Sequence, residues 1–190
     1  MKKQLRLGVD VDMVLRDMIS KLTELLKRDN PSLLLMDKPD RYNFNNIDLS
    51  LKDKIKLWEN IYSKEIFLEA DPMPGAIEQF FKLEKWAAKN NVKLVCVTLQ
   101  TRKNAHYTFQ WLHKHKIYFS QYHITHQKYL TGVDYIIDDS PDNYHDWTLH
   151  GLPEDHFIIF DCDHNRHVKV TNRVNSLMEA VKIVKKKVSV

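Results

Sequence analysis

Residues 5–17, with the sequence LRLGVDVDMVLRD, decide the predicted fold of this chain. Alternating apolar residues up to Val11 are typical of a buried strand, and Asp10 and Asp12 stand where that strand should end. Open α/β sheets bind their ligands at the carboxyl ends of the strands, which makes this position suitable for two functional carboxylates. Side chains one residue apart in a strand point to opposite faces, so the pair can act together only if the chain is already turning at Asp12. A strand followed by two solvated acids is the simpler alternative.

The size and composition are those of an ordinary globular protein. With 190 residues, of which 43% are hydrophobic and 28% charged, the chain suits one domain, or one domain with an inserted cap. Lys and Arg outnumber Asp and Glu by 29 to 25, and the formal net charge of +4 suits an anionic ligand but is weak evidence for nucleic acid. No segment is long and apolar enough to span a bilayer, so a membrane is not an expected partner.

The cysteines and glycines exclude several kinds of site. Cys96 and Cys162 fit neither a disulfide framework nor a zinc knuckle, which favours a reducing compartment, and we predict a cytoplasmic protein. The four glycines allow no GxGxxG or Walker-type loop. Any phosphate group must therefore be held by side chains, a metal ion or helix ends.

The chain after the first strand predicts an α/β core with an insert. Residues 17–28 carry apolar side chains at helical spacing and should form an amphipathic helix. The following segment is polar, contains many aromatic residues and is broken by prolines, and we predict one or two short helices there, for instance over 51–62. Residues 17–73 are therefore predicted to form a small helical cap, and 1–16 and 74–190 the core.

From residue 74 onward, helices and strands alternate. The apolar run at 92–98, VKLVCVT, is typical of a strand that a parallel sheet buries on both faces. Alternation of this kind predicts a doubly wound parallel sheet. The predicted helices cover 76–89, 104–115 and 175–187, and the further strands cover 122–125, 134–138 and 156–161.

Charged and hydroxyl side chains collect at the carboxyl edge of this predicted sheet. Crowded carboxylates repel one another unless a cation lies among them. Oxygen ligands favour a hard cation, and Mg²⁺ is the natural choice because it also takes phosphate oxygens as ligands. We therefore predict a phosphate site that depends on magnesium. The residues that should meet there are Asp10, Asp12, Thr98, Lys128, Asp138 and Asp139.

Several short motifs, in this order, resemble those of the haloacid dehalogenase (HAD) superfamily of phosphotransferases, and within it the 5'(3')-deoxyribonucleotidases. GVDVDMVLRD at 8–17 is similar to the opening strand and turn of that family, and VTLQTR at 97–102 to its second motif. THQK at 125–128 and IIDDSPDN at 136–143 resemble the third and fourth motifs. The segments DPMPGA and FDCDHNRH extend the resemblance over most of the chain.

The resemblance implies a two-step phosphoryl transfer. Asp10 would be the nucleophile that takes the phosphoryl group, and Asp12 the acid that protonates the leaving oxygen and then the base that activates water. Asp10 would stay ionised beside the metal while Asp12 holds a proton. Mg²⁺ would be bound by Asp10, the main-chain oxygen of Asp12, and Asp139, with Asp138 in support.

The resemblance also implies how phosphate is held. Its oxygens would contact Thr98, the backbone amide of Leu99, and Lys128, whose ammonium group balances the charge that builds during transfer. Leu99 stands where relatives often carry Ser, which removes one hydroxyl contact. Met13 stands where Gly is usual, so a residue with a side chain must make the turn after Asp12.

Substrate contacts are implied for the predicted cap. Met18 occupies the position of an aromatic base-stacking residue, and Tyr62 falls where the family places a ring near the nucleoside. Phe44 or Tyr42 would form a second wall. The aromatic residues of the insert could instead form its own minor core.

A second group of metal-type side chains lies near the end of the chain. His164 and His167 stand close to Asp161 and Asp163 in the sequence and could suggest another metal site. No recognised zinc spacing is complete, so we favour a hydrogen-bonded turn.

The preferred functional hypothesis is a Mg²⁺-dependent phosphomonoesterase that acts on nucleoside monophosphates, with deoxy forms preferred. The second is a HAD phosphatase for another small phosphate ester or for a nucleic-acid 3'-phosphate. The third is a catalytically silent module that binds nucleic acid, and it leaves the acid cluster unexplained. The expected partners are a nucleoside monophosphate and, through an exposed cap, a second copy of the chain in a homodimer; nucleic acid is not expected.

Overall fold

A six-stranded sheet forms the centre of the computed structural model, which describes residues 3–29, 50–52 and 63–188. All neighbouring strands are parallel, and their spatial order is β3-β2-β1-β4-β5-β6. The predicted parallel sheet is therefore confirmed, with the strand that precedes Asp10 near its middle. The strands are β1 Leu5–Val9, β2 Val92–Thr98, β3 Gln121–Ile124, β4 Tyr135–Asp138, β5 Phe157–Phe160 and β6 Arg173–Val174.

The helices flank this sheet, and five of them are α-helices in the described part of the chain. Four of the five match predicted helices to within two residues at each end. A short π-helix, Glu65–Glu69, precedes the return of the chain to the core. The α-helices are α1 Met18–Asp29, α2 Ala76–Lys89, α3 Ala105–Lys114, α4 Pro141–Leu149 and α5 Leu177–Val188.

Each face of the sheet carries its own hydrophobic cluster, because successive side chains of a strand point to opposite faces. Leu7 and Val9 of β1 belong to the cluster that also contains buried residues of α2 and α5. Val97 of β2 belongs to the other cluster, where Trp147 of α4 packs. Gly8 lies on this second face, where an added Cβ would meet the side chain of Val97 at 3.2 Å. The close approach of β1 to its neighbours there leaves no room for a side chain.

One α-helix and one strand were missing from the sequence-based prediction, and the first strand is shorter than its apolar pattern suggests. Helix α4 has only one buried residue, Trp147, so it lacks the apolar repeat by which helices are recognised. Strand β6 is only two residues long. The first strand ends at Val9 rather than at Val11, so Asp10 and Asp12 both lie beyond it.

Most of the predicted cap lies outside the described residues. Its start is helix α1, and its end includes the π-helix, to which Arg28 of α1 is joined by an ion pair with Glu65. Of the helix predicted over 51–62, the described residues 51 and 52 are helical. The cap and its boundaries therefore stay a prediction. Within the described ranges, no helix combines the length and the apolar character that crossing a membrane would require.

Candidate active site

The turn after β1 brings Asp10 and Asp12 out of the strand. The backbone N–H groups of Leu15 and Arg16 both donate to the carbonyl oxygen of Val11, at 2.8 and 2.9 Å, and close a compact turn. Met13 makes this turn with a φ of 58°, in the left-handed region that favours glycine. The prediction that the chain turns at Asp12, through a residue with a side chain, is confirmed.

Three carboxylates and one ammonium group meet at the carboxyl edge of the sheet. Asp10, Asp138 and Asp139 are all buried, and one oxygen of each lies within 4.8 Å of the others. Lys128 Nζ donates to Asp10 Oδ2 and to Asp138 Oδ2, both at 2.6 Å. Lys128 is only 2% exposed, so it is not a surface lysine. Residues more than a hundred positions apart in the sequence thus form one cluster.

The charges in this cluster do not balance. Burial raises the pKa of Asp10 to about 8 although Lys128 lowers it, and the carboxylates of Asp138, Asp139 and Asp12 raise it further. Burial alone would lower the pKa of Lys128, but Asp10 and Asp138 outweigh it and hold that pKa above its ordinary value. With all three carboxylates ionised, the single ammonium group would leave an excess of negative charge, which a divalent cation would neutralise.

The neighbours of Asp138 and Asp139 fix both carboxylates, and of these neighbours sequence analysis named only His164, as part of a turn or of another metal site. Asp138 Oδ1 accepts from the backbone N–H of Ser140 at 2.9 Å and from Asn143 Nδ2 at 3.1 Å. Asp139 Oδ2 lies 2.8 Å from His164 Nε2. The available signal was Ser140-Pro141, because Ser before Pro is a typical helix start, and it would have placed Asn143 in the first turn of α4.

The turn predicted around His164 is present. Residues Asp163–Asn165 form a 3₁₀ helix, and Asn165 Nδ2 donates to the carbonyl oxygens of Asp139 and Phe160, both at 2.8 Å. This side chain ties the end of β5 to the end of β4 and so supports the position of Asp139.

Asp12 is held by two residues that sequence analysis did not identify. Arg16 Nε donates to Asp12 Oδ1 at 2.8 Å, and Gln100 Nε2 donates to Asp12 Oδ2 at 2.6 Å. Arg16 is completely buried and also donates to Thr108 Oγ1 at 3.1 Å. Its guanidinium group lies 5.4 Å from the ring centroid of Trp111. Asp12 is thus a carboxylate with a fixed orientation and with both oxygens already accepting hydrogen bonds.

This buried ion pair leads to a prediction about stability. Arg16→Met should lower the free energy of unfolding by about 3–5 kcal/mol, because it leaves the Asp12 carboxylate without its cation in a buried place. Urea unfolding monitored by circular dichroism would measure this loss. The matched control is Arg28→Met, since Arg28 also pairs with a carboxylate but is exposed, and it should change stability little. Equal effects of the two variants would contradict the prediction.

The remaining predicted site residues differ in what the structure says of them. Thr98 is buried, and its hydroxyl has no hydrogen-bond partner in the described part of the chain, which suits a group that waits for a ligand oxygen. The side chain of Leu99 is 54% exposed. Met18 is partly buried and packs against the main hydrophobic cluster. Phe44 and Tyr62, and with them Tyr42, lie outside the described residues, so their substrate contacts stay predictions.

The residues present fit a magnesium ion. Asp10, Asp138 and Asp139 offer only oxygen atoms, the type of ligand that Mg²⁺ requires. One oxygen from each lies within 4.8 Å of the other two, so the three side chains are close enough to contact one ion together. The unpartnered hydroxyl of Thr98 supplies a further polar atom for a phosphate oxygen.

Comparison with known proteins identifies the family of this chain. A profile of the family described as 5' nucleotidase, deoxy (pyrimidine), cytosolic type C protein matches residues 3–189. The chain belongs to this family. The resemblance inferred from the motifs is therefore confirmed, and the chain is a hydrolase of the phosphatase class.

Individual relatives support the family at moderate identity. The mitochondrial 5'(3')-deoxyribonucleotidase of Mus musculus is 28% identical over 182 residues, covering 88% of this chain and 78% of the relative. The mitochondrial enzyme of the same description from Homo sapiens is 26% identical over 179 residues, covering 88% of this chain and 75% of the relative.

Comparison with solved structures shows that this chain has the HAD fold. The HAD hydrolase YfnB of Bacillus subtilis, bound to magnesium, superposes with a TM-score of 0.61 at 15% identity, covering 96% of this chain and 99% of that one. The HAD-like protein SP0104 of Streptococcus pneumoniae gives a TM-score of 0.60 at 13% identity, covering 97% and 100%. The predicted fold class is confirmed by both.

Proposed function

We propose that this chain is a Mg²⁺-dependent phosphomonoesterase that hydrolyses nucleoside monophosphates, with deoxy forms preferred, through an aspartyl-phosphate intermediate. The observation that carries the proposal is the buried cluster of Asp10, Asp138 and Asp139 around Lys128. The hydroxyl of Thr98, which has no hydrogen-bond partner in the described part of the chain, lies at the same carboxyl edge of the sheet. Such a cluster costs stability, and a purely structural role would not require three carboxylates together.

In the first step a carboxylate oxygen of Asp10 attacks the phosphorus atom. The P–O bond to the nucleoside breaks as the bond to Asp10 forms, and the leaving oxygen takes a proton from Asp12. Lys128, whose ammonium group lies 2.6 Å from Asp10, is placed to contact the oxygens of the transferring phosphoryl group. The hydroxyl of Thr98 and the backbone amide of Leu99 would hold the remaining phosphate oxygens.

In the second step Asp12 takes a proton from a water molecule, which attacks the phosphorus of the aspartyl phosphate and restores Asp10. A carboxylate oriented by Arg16 and Gln100 is ready for this role as a base. For the first step, one oxygen of Asp12 must carry a proton. Arg16 donates to Oδ1, and Oδ2, which accepts from Gln100, has a second lone pair that can hold this proton.

The magnesium ion would be held by Asp10 and Asp139, with Asp138 in support and the main-chain oxygen of Asp12 as a further ligand. When bound, it supplies positive charge that offsets the repulsion between the carboxylates and the phosphate group. The hydrogen bonds from Ser140 and Asn143 to Asp138 would keep this end of the site rigid.

A substrate panel tests the proposed function. We expect phosphate release from deoxynucleoside monophosphates with a kcat/KM well above that for sugar phosphates, and loss of release when EDTA removes the metal. The same assay with ribonucleoside monophosphates measures the preference for the deoxy sugar. Oligonucleotides that end in a 3'-phosphate test the alternative substrate class. Release only from sugar phosphates or 3'-phosphorylated oligonucleotides would favour the second hypothesis. Salt-sensitive DNA binding with no release from any ester would favour the silent binding module.

Location and oligomeric state remain predictions of this proposal. The two relatives named above are described as mitochondrial, whereas we predict a cytoplasmic protein because Cys96 and Cys162 are both buried free thiols. A homodimer formed through the cap would be detected by sedimentation.

Magnesium should stabilise the protein more at pH 8 than at pH 6. The carboxyl group of Asp10 ionises near its ordinary pKa when unfolded but near pH 8 when folded, so folding without metal takes up a proton between these values. Stability of the metal-free protein therefore falls as the pH rises through this window, by up to about 1.4 kcal/mol per pH unit. Mg²⁺ binds the ionised form and should remove that loss.

Urea unfolding at the two pH values, in EDTA and in excess Mg²⁺, measures this effect. Asp10→Asn is the matched control, because its amide does not titrate and the pH slope should flatten. An unchanged slope in this variant would assign the pH dependence to another group.

A further inference from the structure

A second set of metal-type donors lies beside the magnesium cluster and shares one residue with it. One ligand atom from each of Asp139, Cys162 and His164 lies within 4.8 Å of the other two. The exposed fractions of these residues are 0%, 6% and 4%. The sequence did not reveal this set, because Asp139 follows β4 whereas Cys162 and His164 follow β5.

We propose that Asp139, Cys162 and His164 form a second metal site, selective for a thiophilic divalent cation such as Zn²⁺, whose occupation inhibits the phosphatase by withdrawing Asp139 from the magnesium cluster. The second metal site does not depend on the proposed function. Only the inhibition by zinc rests on the proposed function.

The donor types separate this site from the magnesium cluster. A thiolate sulfur, an imidazole nitrogen and a carboxylate oxygen are together the ligands that Zn²⁺ prefers, and a water molecule can complete its tetrahedral shell. Mg²⁺ prefers oxygen ligands and gains little from sulfur. The two sets of donors therefore select different cations although Asp139 belongs to both.

A surface cavity gives a cation access to these donors. Its volume is about 190 Å³, and Cys162 and His164 are among its lining residues. The carboxylates of Asp17, Asp161 and Asp163 also line it and attract positive charge, which the paired guanidinium group of Arg166 offsets only in part. A metal site requires such an entry path, and this one does not pass through the magnesium cluster.

Binding changes the bonding of Cys162 in a balanced way. In the structure its thiol donates to the carbonyl oxygen of Met13 across 3.6 Å. As the bond from sulfur to the metal forms, the thiol proton leaves to solvent and this weak hydrogen bond is lost. His164 Nε2, which lies 2.8 Å from Asp139 Oδ2, would bind the cation as the tautomer that carries its proton on Nδ1, so any proton on Nε2 moves to Nδ1 or leaves to solvent.

Zinc in the second site should inhibit the phosphatase because both metal sites use Asp139. A cation held by Cys162 and His164 draws the carboxylate of Asp139 toward the β5 side, while the magnesium cluster needs the same group beside Asp10. Asp138 is fixed by Ser140 and Asn143 and cannot move over to replace it. Zinc should therefore inhibit without displacing Lys128.

Cobalt(II) provides a test that does not depend on activity, because a Co²⁺–thiolate bond produces an intense charge-transfer absorption in the near ultraviolet. Metal-free protein titrated with Co²⁺ should develop this band, Cys162→Ala should abolish it, and His164→Gln should weaken Co²⁺ binding at least tenfold. The matched control is Cys96→Ala, which removes the other buried free cysteine and should keep the band. Melting temperatures show that each variant is folded.

Two results would overturn the site: wild-type protein without the band, or a band that survives Cys162→Ala in a folded variant. For inhibition, Zn²⁺ is titrated against p-nitrophenyl phosphate hydrolysis in excess Mg²⁺, with each rate normalised to that of the same variant without zinc. The zinc concentration for half inhibition should rise at least tenfold in Cys162→Ala. An unchanged value would overturn the inhibitory role and place the inhibiting zinc in the magnesium cluster. If no ester is hydrolysed, the cobalt band still decides the site.

Discussion

Asp10→Asn should lower kcat for phosphate release by at least about 10⁴-fold, because a neutral amide cannot form the aspartyl phosphate. The substitution keeps the size of the side chain and leaves Lys128 paired with Asp138, so the fold should persist. It also removes one of the three carboxylates that would hold Mg²⁺. Steady-state release from a deoxynucleoside monophosphate, with melting temperature as a check on folding, measures the effect.

The matched control for this prediction is Asp142→Asn. Asp142 is exposed in the first turn of α4, close to the site along the chain but outside the cluster, and its loss should leave kcat nearly unchanged. If Asp10→Asn kept more than about one percent of the parent kcat, Asp10 would not be the nucleophile.

Asp12→Asn should lower kcat/KM for a nucleoside monophosphate by about 10²- to 10⁴-fold, the usual contribution of a general acid. The loss should be much smaller for p-nitrophenyl phosphate, because nitrophenolate leaves without needing a proton. The quantity kcat/KM is the appropriate one, since it reports the steps through formation of the aspartyl phosphate and not its later hydrolysis.

The comparison of the two substrates distinguishes a role of Asp12 in proton transfer from a role in supporting the turn after β1. A structural role for Asp12, through Arg16 and Gln100, would reduce both values of kcat/KM by the same factor. Equal losses would therefore contradict the acid role. Gln100→Leu is a useful companion, because it removes one donor to Asp12 and keeps the carboxylate.

The fold could be predicted where local patterns match the final structure. The apolar run at 92–98 became β2 with the same bounds, because a central strand buried on both faces needs an unbroken apolar sequence. Helix α4 could not be found from periodicity, since its only buried residue is Trp147. Its start could have been recognised from Ser140-Pro141, whereas its packing against β5 is a property of the folded chain.

The cluster at the sheet edge could be predicted because topology alone brings strand ends together. Asp10, Asp138 and Lys128 needed only a parallel sheet to become neighbours. Arg16 and Gln100 could not be inferred in this way. Their contacts with Asp12 depend on how the turn after β1 lies against the loop after β2, and the sequence has no short-range pattern for that distance.

The position of β1 between β2 and β4 has a consequence for biosynthesis. Lys128 and the acids after β4 are synthesised more than a hundred residues later than Asp10. At about 5–20 residues per second, one edge of the first strand stays uncovered for several seconds until β2 has been made, and the other edge until β4 has been made. Chaperones that recognise extended apolar segments have this interval in which to bind.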